Sequence, residues 1–349
     1  PDSACCPARF TWSDREESMI LDPERRHALR GMKLRALVAE ETGDPDDELV
    51  LGGDHCFDGS RLWALASDDT PERALGAAVL RSGSHADAPL TVCFDDVEAA
   101  GVAARRAVVL RPVPEIRLIE GRSLVPVQPT EAVPRGEAPP PPDGFVDLCL
   151  GVGVQPLVEH GVWRGEILGL EVVRVVEDPD LGSQVQVGVG RFDREAGVLV
   201  HANQPQGESL AAAADLIRSR RRTGAGAHPL ATLCRERWLR HDLVADPSVL
   251  GLGDLVAVDP ADERPNLRDP APAPAIGTGP DGERVLVVCS VGVDPCVVSA
   301  AAELVLRESP DRIVVALPGR DVLPAVERAL ARLVVPTSIL GVACGWDIA

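Results

Sequence analysis

Lysine is almost missing from this chain: Lys33 stands alone against 34 arginines, and there is no tyrosine. A phosphate-cradling loop of the Gly-Lys-Ser/Thr type and a Schiff-base enzyme each need a lysine in context. Lys33 lies in GMKLRAL and supplies neither. No apolar run approaches the ~20 residues that span a bilayer. The N-terminus (PDSACCPARFTWSDREES) has acids and no apolar h-region, so it does not read as a secretory signal. No G-x-G-x-x-G follows the strand-like runs at 61–67 and 284–290, and the G-x-S-x-G elbow, C-x-x-C and H-E-x-x-H are absent. These absences set aside dinucleotide-binding, serine-hydrolase and zinc-protease readings.

What is present is an ordinary globular balance with a strong acidic bias. Apolar residues make up 45% and charged residues 26%, which suits a packed core. A net charge of −19 disfavours nucleic acid and anionic membrane as partners. Nine cysteines, an odd number without paired spacing, read as reduced thiols, so the expected location is the cytoplasm.

Two proline-rich stretches divide the chain. Residues 126–142 hold seven prolines and residues 260–280 hold six. Proline removes a backbone donor and stiffens the chain, so linkers are expected at 126–143 and 260–283. The expected divisions are then 19–125, an N-terminal α/β domain; 144–259, a central α+β domain; and 284–349, a C-terminal α/β unit. Met19 opens a more ordinary segment, so residues 1–18 read as a disordered tail or an upstream translation artefact.

The outer blocks alternate strand and helix. RLWALAS (61–67), PLTVCF (89–94) and EIRLIE (115–120) read as buried strands, as do RVLVVCS (284–290), RIVVAL (312–317) and TSILGV (337–342). Thr70-Pro71, Asp96, Asp294-Pro295 and Asp321 read as helix starts between them. The fold class expected is α/β: two βαβαβ units, each like half of a Rossmann fold, flanking a central α+β hairpin-and-helix domain. Strand spacings of 29 and 25 residues in one unit and 28 and 24 in the other suggest an internal repeat. The central block is expected to hold one long β-run at 163–177, a half-buried hairpin strand at 184–193 and helices at 208–222 and 229–244.

The segments GEILGLEVVRVV, VGVGRFDREAG, HPLATLCRERWLR, RPNLRDPAPAPAIG and VLVVCSVGVDPCVVSAAAE resemble those of conserved uncharacterised proteins of high-GC bacteria, across most of residues 50–340. That resemblance implies a cytosolic setting and carries no activity and no site residue.

Three constellations can carry chemistry. Ligands of open parallel sheets bind beyond the carboxyl ends of strands, which points to Ser67–Thr70 and to Ser290 and Gly292. Glu166, Glu171 and Asp193, with Glu159 and Glu195 nearby, lie on or beside the central hairpin and are candidates to hold Mg²⁺. Their helix–strand–strand–strand–helix setting resembles that of restriction-endonuclease-like nucleases, although Glu171-Val172-Val173-Arg174 stands where those carry Glu-x-Lys. Residues 216–241 carry seven arginines against Glu236 alone. Arg218, Arg221 and Arg237 there are candidates to fork onto an anion. The leading expectation is a protein that binds a small anionic ligand or a protein partner. The alternative is a metal-dependent phosphodiesterase.

Overall fold

The computed structural model describes residues 22–43, 50–51, 53–67, 70–85, 87–132, 138–190, 193–194, 205–225, 228–264 and 266–346. The expected tail at 1–18, Glu195 and the acids Asp68 and Asp69 lie outside these residues.

The chain is an α/β protein, and its described residues form three sheets. Its first unit runs α1 (Pro23–Thr42), β1 (Val50–Leu51), β2 (His55–Phe57), β3 (Leu62–Leu65), α2 (Ala74–Arg81), β4 (Leu90–Phe94), α3 (Val97–Ala107), β5 (Glu115–Glu120) and β6 (Ser123–Pro126). β3, β4 and β5 are parallel, and antiparallel strands flank them. Alternation along the strands sorts two cores. Leu62, Ala64, Leu90 and Val92 face α2 and α3, whereas Trp63, Leu65 and Cys93 face Leu34, Leu37 and Val38 of α1.

The central block holds α4 (Phe145–Gly151), β7 (Gln155–Glu159), β8 (Val162–Ile167), β9 (Leu170–Asp178), β10 (Gly182–Val187) and α5 (Gln206–Arg220). Its sheet is antiparallel, in the order β10-β9-β8-β7. Val185, Val187 and Val189 pack inward as their alternation requires. The run expected as one strand at 163–177 is broken. Leu168 (φ 48°) and Gly169 (φ 74°) turn it back into a hairpin.

The last unit runs α6 (Arg235–Ala245), β11 (Asp254–Ala257), β12 (Ala273–Thr278), β13 (Arg284–Cys289), α7 (Val297–Glu308), β14 (Arg312–Pro318), α8 (Pro324–Leu330) and β15 (Thr337–Val342). β13, β14 and β15 are parallel, and β12 and β11 continue the sheet antiparallel. β12 lies within the stretch expected as a linker. Its Pro274 is tolerated because its carbonyl accepts from Val258 N–H at 3.2 Å, on the side beyond β11. The proline nitrogen shares that side, so the ladder to β13 loses no bond.

The two outer units share the element order helix, three strands, helix, strand, helix, strand, to which the first unit adds β6. Leu62 to Arg284, Leu90 to Arg312 and Glu115 to Thr337 are each displaced by the same 222 residues. The units do not share a sheet. They meet through their helices, α3 on α7 and α2 on α8, and one core runs across the join. Leu110 and Leu333, which follow α3 and α8, form an antiparallel bridge: Arg111 N–H donates to Arg332 O at 2.7 Å, and Val334 N–H to Val109 O at 2.9 Å. α2 comes so near that a Cβ on Gly76 would lie 1.9 Å from Pro295 O.

Candidate functional site

The central carboxylates do come together, through the hairpin that the sequence hides. Because the chain reverses at Leu168-Gly169, Glu166 and Glu171 are cross-strand partners, and not on opposite faces as one regular strand would put them. Register passes from Gly165↔Val173 to Glu166↔Glu171, leaving Val172 as the extra residue of a bulge. The bulge brings Arg174 to the face that carries Glu171.

These acids are sealed under α6 by guanidinium groups. Arg237 donates to Glu166 at 2.6 Å and to Glu159 at 2.5 Å, and Arg240 to Glu166 at 3.2 Å. Arg164 reaches Glu159 at 2.9 Å and Glu171 at 3.3 Å, while Arg174 and Arg194 reach Glu171 at 3.0 and 2.7 Å. Burial alone would raise the Glu159 carboxyl, but Arg237, Arg164 and Arg240 outweigh it and hold the group at about 2. The same carboxylates raise Arg237 well above its ordinary value against the cost of its burial. Gly169 is required where α6 crosses the turn, since a Cβ there would lie 2.3 Å from the Arg237 carbonyl carbon.

Asp193 stands apart from this network. It is exposed and accepts from Val189 N–H at 2.7 Å. Among the described residues no group of three or more His, Cys, Asp or Glu is placed to hold a metal ion. Glu166 and Glu171 are both occupied by cationic donors, an arrangement that binds helix to sheet and leaves no open acidic face for Mg²⁺.

The basic stretch is divided by the fold and does not form one surface. Arg218 is exposed and donates to Val152 O (2.5 Å), Gly153 O (3.1 Å) and Asp215 (3.0 Å). Arg221 is buried and caps the carbonyls of Leu168, Leu230 and Leu233, with its guanidinium over the Trp238 ring. Burial pulls Arg221 down to about 10. Arg237 serves the buried network. These three arginines do not converge on a ligand.

A cleft does form where strand-end reasoning points, at the carboxyl ends of β13 and β14. It has a volume of about 270 Å³ and is lined by Arg235, Arg268, Arg320, Gly292, Asp321 and Trp346. Gly292 N–H donates to Asp321 Oδ2 at 2.7 Å, which ties together the loops after the two strands. This bond also explains why Asp321 does not open the following helix, which begins only at Pro324. Ser290 lies behind the wall, buried, and its hydroxyl donates to Asp294 at 3.2 Å. Burial raises the Asp294 carboxyl although Cys296 N–H and Ser290 bond to it. Glu236 also lines the cleft, but it is buried and ion-paired with Arg264. Arg235 sits 5.7 Å from the Trp346 ring centroid, and Trp238 lies against the same ring at 4.8 Å.

Arg268 and Arg320 escaped the sequence reading. Arg268 falls in a segment whose prolines suggest a linker. Arg320 follows β14, and the strand-end rule applied to that loop as well as to the loop after β13 finds it. No protein-family model matches the chain, and neither a curated protein nor a solved structure matches it. No helix among the described residues is long and apolar enough to cross a membrane.

Proposed function

We propose that this chain is a binding protein for a small anion and that the cleft at the ends of β13 and β14 is its site. One observation carries the reading: three arginines from three separate elements line a single cleft at the strand ends of an otherwise acidic protein. Arg235 comes from the first turn of α6, Arg268 from the segment before β12, and Arg320 from the turn after β14. Guanidinium forks suit oxyanions, and a local positive site within a −19 chain selects by charge. Gly292 lines the cleft, and Ser290 supports its loop from behind through Asp294. A cytoplasmic setting goes with the reading, supported by the burial of the seven described cysteines, which suits apolar core thiols. We also infer that the two outer units are copies of one sequence, because element order and the 222-residue displacement agree.

Thermal unfolding of the full chain tests the site. Inorganic phosphate should raise the melting temperature relative to chloride at equal ionic strength, since a ligand of the folded state stabilises by mass action. Arg268→Gln with Arg320→Gln should abolish that rise while leaving the ligand-free melting temperature unchanged, as both side chains are exposed. A rise of equal size in the double variant would remove the cleft from consideration.

A further inference from the structure

We propose that this chain pairs with a second copy of itself along the outer edge of β15, which extends the last sheet across a two-fold axis. The first unit shows what such an edge takes. There β5 ends the run of parallel strands, and β6 covers it as an antiparallel neighbour after the turn at Gly121-Arg122. In the last unit β15 holds the place of β5, but it ends its sheet, and among the described residues no strand pairs with its outer edge. The chain beyond β15 leaves that edge. Cys344 is buried in the core shared with α6, and Trp346 packs on Trp238.

Hydrogen bonding defines the open row. Ile313 N–H donates to Pro336 O at 2.9 Å, so residues 336, 338, 340 and 342 bond to β14 in the evenly spaced parallel ladder. The N–H and C=O groups of Thr337, Ile339 and Gly341 point the other way. Pro336 therefore lacks its donor on the β14 side and does not blunt the outer edge. An extended strand can add to such a row through main-chain bonds. A second β15 is a strand of the right kind. With Ile339 opposite its own copy and Thr337 opposite Gly341, every outward group finds a partner. The contact is isologous, so it closes at two chains.

Charge selects the same occupant. Two chains of net charge −19 repel each other, so self-association needs a surface without charge. Residues 333–346 are a run of 14 without a charged side chain, the longest in the sequence. Exposed edges are ordinarily guarded by charge, and the opposite edge of this sheet, β11, opens on the exposed Asp254. β15 has no such guard, and Ser338 and Gly341 are exposed along it.

Gel filtration with light scattering on the full chain, from about 1 to about 100 μM, covers micromolar dissociation constants. The mass should rise toward twice that of one chain. Hydrogen exchange read on peptides within 333–346 should slow over the same concentrations, as Thr337, Ile339 and Gly341 N–H become bonded. Thr337→Pro removes an outward donor at the first residue of a strand, where proline is tolerated. Ser338→Asp sets like charges beside each other across the axis. Each should raise the dissociation constant at least about tenfold, with far-ultraviolet circular dichroism unchanged. Should Thr337→Pro unfold the chain, Ser338→Asp carries the comparison. A single-chain mass throughout would overturn the proposal, and slow exchange of those amides in that single chain would put another segment of the same chain on the edge. A dimer whose β15 exchange does not slow, or that Ser338→Asp does not weaken, would overturn it as well, because its contact would lie elsewhere.

Discussion

Glu159 and Glu166 show how much stability single residues hold here. Each is nearly inaccessible and each is bonded to Arg237. Glu166→Gln leaves Arg237 and Arg240 without their shared carboxylate, and breaking a buried pair on one side costs ~3–5 kcal/mol. Urea unfolding at neutral pH should show a loss of that size. The Glu159 carboxyl sits at about 2 in the fold, below its ordinary value, so its contribution is fully present above about pH 4.5. It fades as pH falls from there toward 2. In Glu159→Gln this acid-dependent component should vanish from a stability profile taken across that window, although the variant starts lower. Gly169→Ala meets two obstacles, a left-handed backbone at φ 74° and the Arg237 carbonyl. Its expected cost is ~1–3 kcal/mol from strain alone, with more from the clash.

At the scale of elements, legibility followed burial. β3, β4, β13 and β14 could be read because both faces are covered, and such strands are continuous apolar runs. Leu65, Val92, Val287, Val288, Val314 and Val315 are all buried, as that reading requires. Asp96 caps α3 through Ala99 N–H at 2.7 Å, as its position before the helix suggests. The hairpin of β8 and β9 could not be read, because apolar residues run unbroken through Leu168-Gly169 and hide the reversal. β12 was masked by proline composition, since nothing in the sequence tells which side of a strand loses its donor. The candidate site was legible only as a place, the loop after β13, because its arginines come from segments far apart in sequence. Two substitutions probe the elements. Val287→Asp buries an unpaired charge at the centre of the last sheet and should cost ~3–5 kcal/mol. Gly76→Val drives a side chain into Pro295 O, so a fall in melting temperature larger than that of Gly76→Ala is expected. Equal melting temperatures for the two would deny the close contact of α2 with the last unit.

Seen whole, the molecule is a stack in which two helix layers lie between two sheets, with α1 and α6 outside and the central sheet fastened to α6 by charge. The inner core belongs to neither unit alone. Leu75, Val79 and Ala100 of the first unit are covered by Val298, Leu304 and Leu330 of the last. A chain ending at residue 282 should therefore bind a hydrophobic dye and aggregate at concentrations where the full chain stays dispersed, and light scattering reads the difference directly.

This shared core also sets a clock during synthesis. The partner surface for α2 and α3 is encoded about 220 residues downstream. At ~5–20 residues per second, a ribosome needs about 11–45 s to deliver it after α3 is made. Throughout that interval the apolar faces of two helices stand uncovered on the nascent chain. A protein built this way depends on whatever shields α2 and α3 while α7 and α8 are still being translated.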